Sequence, residues 1–165
     1  MRTIKFRGQR EDTKEWVYGS LIEDKYIVGN VIDWNEDYFN TEYWWTVISE
    51  TVGQFIGLYD NTQWGDLSEQ ERQEFYFKNC SDDGMTIKYK TQEEVKHLWK
   101  GREIYEGDIL SIFDDMLVGD EPFEIIWKEY SWFWKDNKND DCFMKHIAEM
   151  STIVGDIHDN KELLE

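Results

Sequence analysis

Apolar and polar side chains alternate with a period of two over much of this chain, the pattern of half-buried β-strands. "TIKFRG" (3–8) alternates, "REDTK" (10–14) supplies a polar turn, and "EWVYGSLI" (15–22) resumes with aromatic and β-branched residues. "EDK" (23–25) marks a second turn before "YIVGNVIDW" (26–34), so a meander of three or four antiparallel strands is predicted. The run "YWWTVISETVGQFIGLYD" (43–60) continues in the same texture, with Gly53 and Gly57 as strand ends or bulges.

Between Asn61 and Gly101 the pattern changes to Gln, Glu and Lys, and two capping-box signals appear, Ser68 with Glu71 and Thr91 with Glu94. They predict short helices over about 68–79 and 92–99, the first turning Phe75 and Tyr76 to a core. "SDDG" (81–84) is the stop, and "MTIKYK" (85–90) reads as an added extended piece. This segment reads as an insertion on a β scaffold.

From Gly101 the alternation returns in "DILSIF", "FEIIWK", "SWFWKD" and "STIVGDI", separated by the polar runs "DDMLVGDEP" and "DNKNDD". Strands at spacings near ten residues predict a small barrel or half-barrel, with Pro122 in a turn. The closing "HDNKELLE" predicts a last helical turn capped by Asp159 or Asn160, docking Leu163 and Leu164. The expected fold is therefore mainly β, one compact unit with an N-terminal meander or barrel-like lobe (1–61), a helical insertion (62–100) and a C-terminal barrel lobe (101–165).

Charge narrows the partners. The 165 residues carry 36 acidic and 18 basic side chains, a formal net charge of −18. Such a field repels phosphate backbones and anionic lipid, so nonspecific nucleic-acid binding and membrane association are not expected. No run approaches the ~20 apolar residues that span a bilayer. "MRTIKFRGQR" lacks an apolar leader core, and Cys80 and Cys142 show no paired spacing, so both are expected as reduced thiols in a cytoplasmic, soluble protein.

Three stretches resemble the YopX family of bacteriophage and prophage proteins: "MRTIKFRG", the middle "ETVGQFIGLYD" with "GREIYEGDIL", and the ending "VGDIHDNKELLE". In that family the middle runs on continuously, whereas here residues 62–99 interrupt it. The resemblance implies a mainly β fold whose C-terminal lobe is an SH3-like small barrel. It implies no catalytic or cofactor residue.

The motifs themselves favour structure over chemistry. Gly107-Asp108 and the second Gly-Asp-Ile at 155–157 read as a turn device used twice, glycine supplying the backbone freedom and aspartate accepting turn amides. Neither matches a phosphate-cradling loop. Asp114, Asp115, Asp120, Glu121 and Glu124, and the run "DNKNDD", lack the ladder of a calcium loop and read as solvated loops. His97, His146 and His158 offer one close pairing with a cysteine, Cys142 with His146, which would need a helix and a second pair to hold zinc. No metal, cofactor or catalytic residue is assigned.

The aromatic clusters "YWW" (43–45) and "WFW" (132–134) read first as core packing between the lobes and next as a protein interface, with Trp44, Trp45, Trp132 and Trp134 as its candidates. Base stacking would need a basic groove, which these clusters lack. The expected function is that of a non-enzymatic phage accessory module binding a host or phage protein through an acidic, aromatic-rich surface. A DNA mimic and a metal-assisted hydrolase are the alternatives, and self-association through unpaired edges is a further expectation.

Overall fold

The computed structural model describes residues 3–80, 87–112, 121–135, 140–142 and 145–165, the side chains of 140–142 excepted. The chain is mainly β. Strands β1 (Phe6–Gln9), β2 (Trp16–Ile22) and β3 (Tyr26–Val28) form the expected meander, in register from Phe6↔Gly19 to Gln9↔Trp16 and from Ser20↔Val28 to Ile22↔Tyr26.

The run 26–34 is not one strand. Beyond Gly29 the chain leaves the sheet as β4 (Val31–Trp34), which among the described residues pairs only with β5 (Phe39–Thr41) in a separate two-stranded arm. A Cβ at Gly29 would lie 2.8 Å from the ring of Tyr43, so glycine lets that ring close over the backbone at the arm's root. The place beside β3 is taken instead by β6 (Trp44–Thr46). After a 3-10 turn, β7 (Gly53–Tyr59) pairs with the other edge of β1.

The helical segment forms as its caps predict. Helix α1 (Glu69–Asn79) begins at Ser68 and α2 (Gln92–Val95) at Thr91, each with a complete capping box, and a 3-10 turn (Lys96–Leu98) extends the second. Trp64, Leu67 and Val95 form a small core against which Phe75, Tyr76 and Trp99 pack. The stop at 81–84 and the start of "MTIKYK" lie outside the described residues.

Strand β8 (Glu103–Tyr105) returns to pair with β7, Phe55↔Tyr105 and Tyr59↔Glu103, across a bulge at Gly57. It completes a six-stranded sheet of order β6-β3-β2-β1-β7-β8. Buried Asp60 closes the base of the helical excursion: its carboxylate accepts hydrogen bonds from the backbone N–H of Thr62, Arg102 and Ile153. Gly101, at φ +108, passes so near that a Cβ would lie 2.0 Å from the Asp60 carbonyl oxygen.

Gly107, at φ +80, then turns the chain into a second antiparallel sheet. It comprises β9 (Asp108–Ile112), β10 (Phe123–Lys128), β11 (Ser131–Lys135), β12 (Asp140–Cys142) and β13 (Ser151–Asp156), in the order β12-β11-β10-β9-β13. Pro122 immediately precedes β10, and a single helical turn, α3 (Lys145–Ala148), leads into β13. Ile56 and Ile104 of the first sheet pack with Leu110, Phe123 and Ile125 of the second, so the two sheets share one core. Each such side chain contributes about 1.5–3 kcal/mol on burial.

The last turn (Lys161–Leu164) forms, but not by the expected cap. Asn160 directs its side-chain oxygen back to the Asp156 N–H at 3.3 Å, and Asp159 accepts from Gln9 Nε2 and Trp16 Nε1. The carboxylate ties the end of the chain to its first two strands, and Leu163 stays partly exposed.

Candidate functional site

A cleft of about 1020 Å³ runs between the first sheet and the helical segment. Lys5, Arg7 and Tyr105 line its sheet side, and Phe77, Lys78 and Trp99 its helical side, with Lys100 and Arg102 at the junction. Among the described residues five cations therefore face three carboxylates, Glu42, Glu103 and Asp108, in a chain of net charge −18. Contrary to the expectation that a basic groove is lacking, folding gathers Lys5, Lys78 and Arg102 from three distant segments into one cleft. The basic "KFR" at 5–7 and "KGR" at 100–102 are its local signals in the sequence.

At the floor, Arg7 Nη1 pairs with Asp108 Oδ1 at 2.6 Å, both side chains buried. The guanidinium lies 4.4 Å from the Trp16 ring centroid and 5.2 Å from that of Tyr105, a cation–π sandwich. Asp108 Oδ2 accepts the Tyr105 N–H at 2.7 Å, the turn role predicted for it. Burial pushes its carboxyl up to about 6 against the opposing pull of Arg7. Asp156, opposite Asp108 across β9 and β13, accepts from the N–H groups of His158 and Asp159, so the second Gly-Asp-Ile is a turn device as well.

Along the wall, Glu103 receives Lys5 Nζ and the Tyr105 hydroxyl, the latter at 2.7 Å. Burial raises the Glu103 carboxyl, but these donors outweigh it and hold the group low. Lys78 is pushed down, first by burial and then by the neighbouring Lys5 ammonium. Arg102 is held by Glu71 at 2.7 Å. Lys78 and Lys100 form no salt bridge among the described residues, and Lys100 Nζ stands 5.6 Å from the Tyr59 ring centroid. The carboxylates of the cleft are thus committed to structural bonds, while Lys78 and Lys100 line it with no carboxylate partner among the described residues.

Beside the cleft stands the β4–β5 arm. Val31, Ile32, Tyr38 and Phe39 are all exposed, and Trp34 is 74% exposed. Residues 29–43 carry Asp33, Glu36, Asp37 and Glu42 and no Lys or Arg. Asn30, Glu42 and Tyr43, at the arm's root, also line the cleft, whereas Trp34, Tyr38 and Phe39 border a separate shallow depression. An acidic, aromatic projection and a basic, aromatic cleft are neighbours on one surface.

The four tryptophans read from the sequence part company. Trp44 lies on the edge strand β6, 49% exposed, against Tyr26. Trp45 is half-buried beneath Arg10, whose guanidinium carbon is 3.7 Å from its ring centroid. Trp132 and Trp134, half-buried, pack against the shared core, Trp134 edge-on to Phe123.

Among the described residues the candidate ligands do not gather. His97 bonds the Glu94 carbonyl, and His158 lies 6.1 Å from the Trp16 ring. Cys142 and His146 fall on β12 and α3, so no single helix carries both. Among the described residues no group of three or more His, Cys, Asp or Glu is placed to hold a metal. Asp114, Asp115 and Asp120 lie outside them, as do all but the last two residues of "DNKNDD". No helix of the described residues is long and apolar enough to cross a membrane.

Residues 99–165 match the family model described as YopX protein. Over these residues the chain is similar to the YopX family. The YopX segment contains "GREIYEGDIL" and "VGDIHDNKELLE", and so Asp108, Asp156 and Asp159; "MRTIKFRG" and "ETVGQFIGLYD" lie outside the match. A crystal structure of protein EF1440 from Enterococcus faecalis resembles the whole chain, covering 100% of both, at a TM-score of 0.55 and 20% identity. That likeness shows the fold, in which the YopX segment supplies the second sheet and the last strand of the first. No curated protein matches the chain.

Proposed function

We propose that this chain is a non-enzymatic protein-binding module, a phage or prophage accessory protein of the bacterial cytoplasm, and that the β4–β5 arm is the surface that engages its partner. The observation that carries this reading is the arm itself: a hairpin with every residue of β4 exposed and Trp34 74% in solvent. Contiguous exposed apolar side chains rimmed by polar groups mark interaction surfaces. Tryptophan and tyrosine are favoured anchors there, because they bury a large area at small entropic cost. Trp44 extends this surface at the arm's root, while Trp132 and Trp134 lie half-buried against the shared core. Binding accounts for the cleft better than chemistry does, since Asp108 and Glu103 are already held by Arg7, Lys5 and Tyr105.

The test is affinity capture with tagged wild type and with a Trp34→Ser/Phe39→Ser double variant, from bacterial host lysate supplemented with a second, differently tagged copy of this chain. A partner held by wild type and lost by the variant, with folding verified by circular dichroism, is expected. Recovery of the same proteins by both, or of none, overturns the reading.

A further inference from the structure

The arm and the cleft are complementary in charge and in texture, and they border one another. We propose that the β4–β5 arm of one copy docks in the cleft of a second copy, and reciprocally, about a two-fold axis. The inference rests on the reading of the arm as a binding surface and names its occupant.

Three observations carry it. The first is charge: the arm presents Asp33, Glu36 and Asp37 without a cation, and the cleft presents Lys78 and Lys100 free of salt bridges among the described residues. Opposite potentials on matching surfaces set register and speed encounter. The second is texture. Trp34, Tyr38 and Phe39 of the arm would stack on Tyr59, Phe77 and Trp99 of the cleft, where aromatic pairs add about 0.5–1.5 kcal/mol each beyond area.

The third is position. Because Asn30, Glu42 and Tyr43 both root the arm and line the cleft, an arm that crosses to a neighbour brings the neighbour's arm within reach of its own cleft. Such an arrangement is isologous and closes as a dimer rather than growing as a filament. Four strand residues carry the arm roughly 13 Å from its root, enough to reach across such an axis. Two arms, with the cleft walls they cover, bury on the order of 2,000 Å², the scale of a stable interface.

The test is sedimentation equilibrium of the full chain with two charge reversals, Glu36→Lys/Asp37→Lys on the arm and Lys78→Glu/Lys100→Glu in the cleft. Wild type is expected to be a dimer whose dissociation constant rises at least tenfold between 0.05 and 0.5 M salt, on the order expected when screened ion pairs are lost. Each reversal alone is expected to be monomeric, and an equimolar mixture of the two to form a heterodimer, because each arm then meets a cleft of opposite sign. The mixture also excludes misfolding as the cause of dissociation. A monomeric wild type, or a dimer untouched by either reversal, overturns the proposal. So does an oligonucleotide bound in the cleft of a monomer. The broader reading of the arm survives those outcomes if Trp34→Ser/Phe39→Ser still abolishes capture of another protein, and falls if it does not.

Discussion

Arg7 and Asp108 stand 101 positions apart in the chain and 2.6 Å apart in the fold, joined as a buried ion pair beneath two aromatic rings. Arg7 comes from β1 of the first sheet and Asp108 opens β9 of the second, so the pair fastens the two sheets where Gly107 turns between them. Burial has raised the carboxyl to about 6, above its unfolded value. Its contribution to stability is therefore full below about pH 4 and is lost as pH rises through about 6.

Arg7→Met removes the counter-charge and drives that folded value higher still. The variant is expected to lose up to about 1.4 kcal/mol more at pH 7 than at pH 4.5, because its unpaired Asp108 must take a proton at neutral pH that the wild-type carboxyl, held by Arg7, largely does without. Urea denaturation at the two pH values measures the difference. An equal loss at both would show that the pair acts through packing alone.

Glu71 behaves with the opposite sign. Hydrogen bonds from the Ser68 side chain and backbone, with help from Arg102, hold its carboxyl down to about 2. Its contribution is present above the unfolded value near 4.5 and fades as pH falls toward 2. Glu71→Gln should lower stability by under about 1 kcal/mol at neutral pH, because the group is partly exposed to water and screened. Thermal melts from pH 6 down to pH 2 should show the gap from wild type closing.

Gly101→Ala and Gly65→Ala separate backbone necessity from mere glycine content. A Cβ at Gly101 meets the Asp60 carbonyl oxygen at 2.0 Å and sits at φ +108, whereas one at Gly65 meets nothing within 4 Å. The first should cost more than about 2 kcal/mol and the second stay within about 0.5 kcal/mol. Chemical denaturation of the two variants side by side decides it.

The two-residue turn between β10 and β11 is occupied by Glu129 and Tyr130 at φ +50 and +65, with the tyrosine 94% exposed. This geometry favours Asn-Gly, since left-handed conformations strain residues bearing a Cβ. Glu129→Asn/Tyr130→Gly should therefore stabilise the chain by about 1 kcal/mol. A rise in melting temperature is the readout, and an unchanged or lower value would mean that the present side chains relieve the strain.

The strands and both helix starts were legible because their signals are local. Ile125 and Trp134 face each other in "FEIIWK" and "SWFWK", and the Ser68–Glu71 and Thr91–Glu94 boxes close within a single turn. The arm was misread as a continuation of β3 because Val31, Ile32 and Trp34 carry strand propensity wherever they pair; only the ring of Tyr43 over Gly29 reveals the break. The cleft was illegible for a different reason. Lys5, Lys78 and Arg102 have no shared period or spacing, and their juxtaposition exists only once β8 has returned to β7.

That return has a consequence for how such proteins diversify. Tyr59 and Glu103 are partners across neighbouring strands, so everything between them is, to the sheet, a hairpin loop. Doubling the length of such a loop costs only about 0.6 kcal/mol in closure entropy, and Asp60 clasps its base regardless of what lies beyond. Yet Phe77, Lys78 and Trp99, which form one wall of the cleft, all come from that loop. The frame and the wall are therefore separable inheritances: exchanging the excursion would leave both sheets standing and give the same scaffold a different groove.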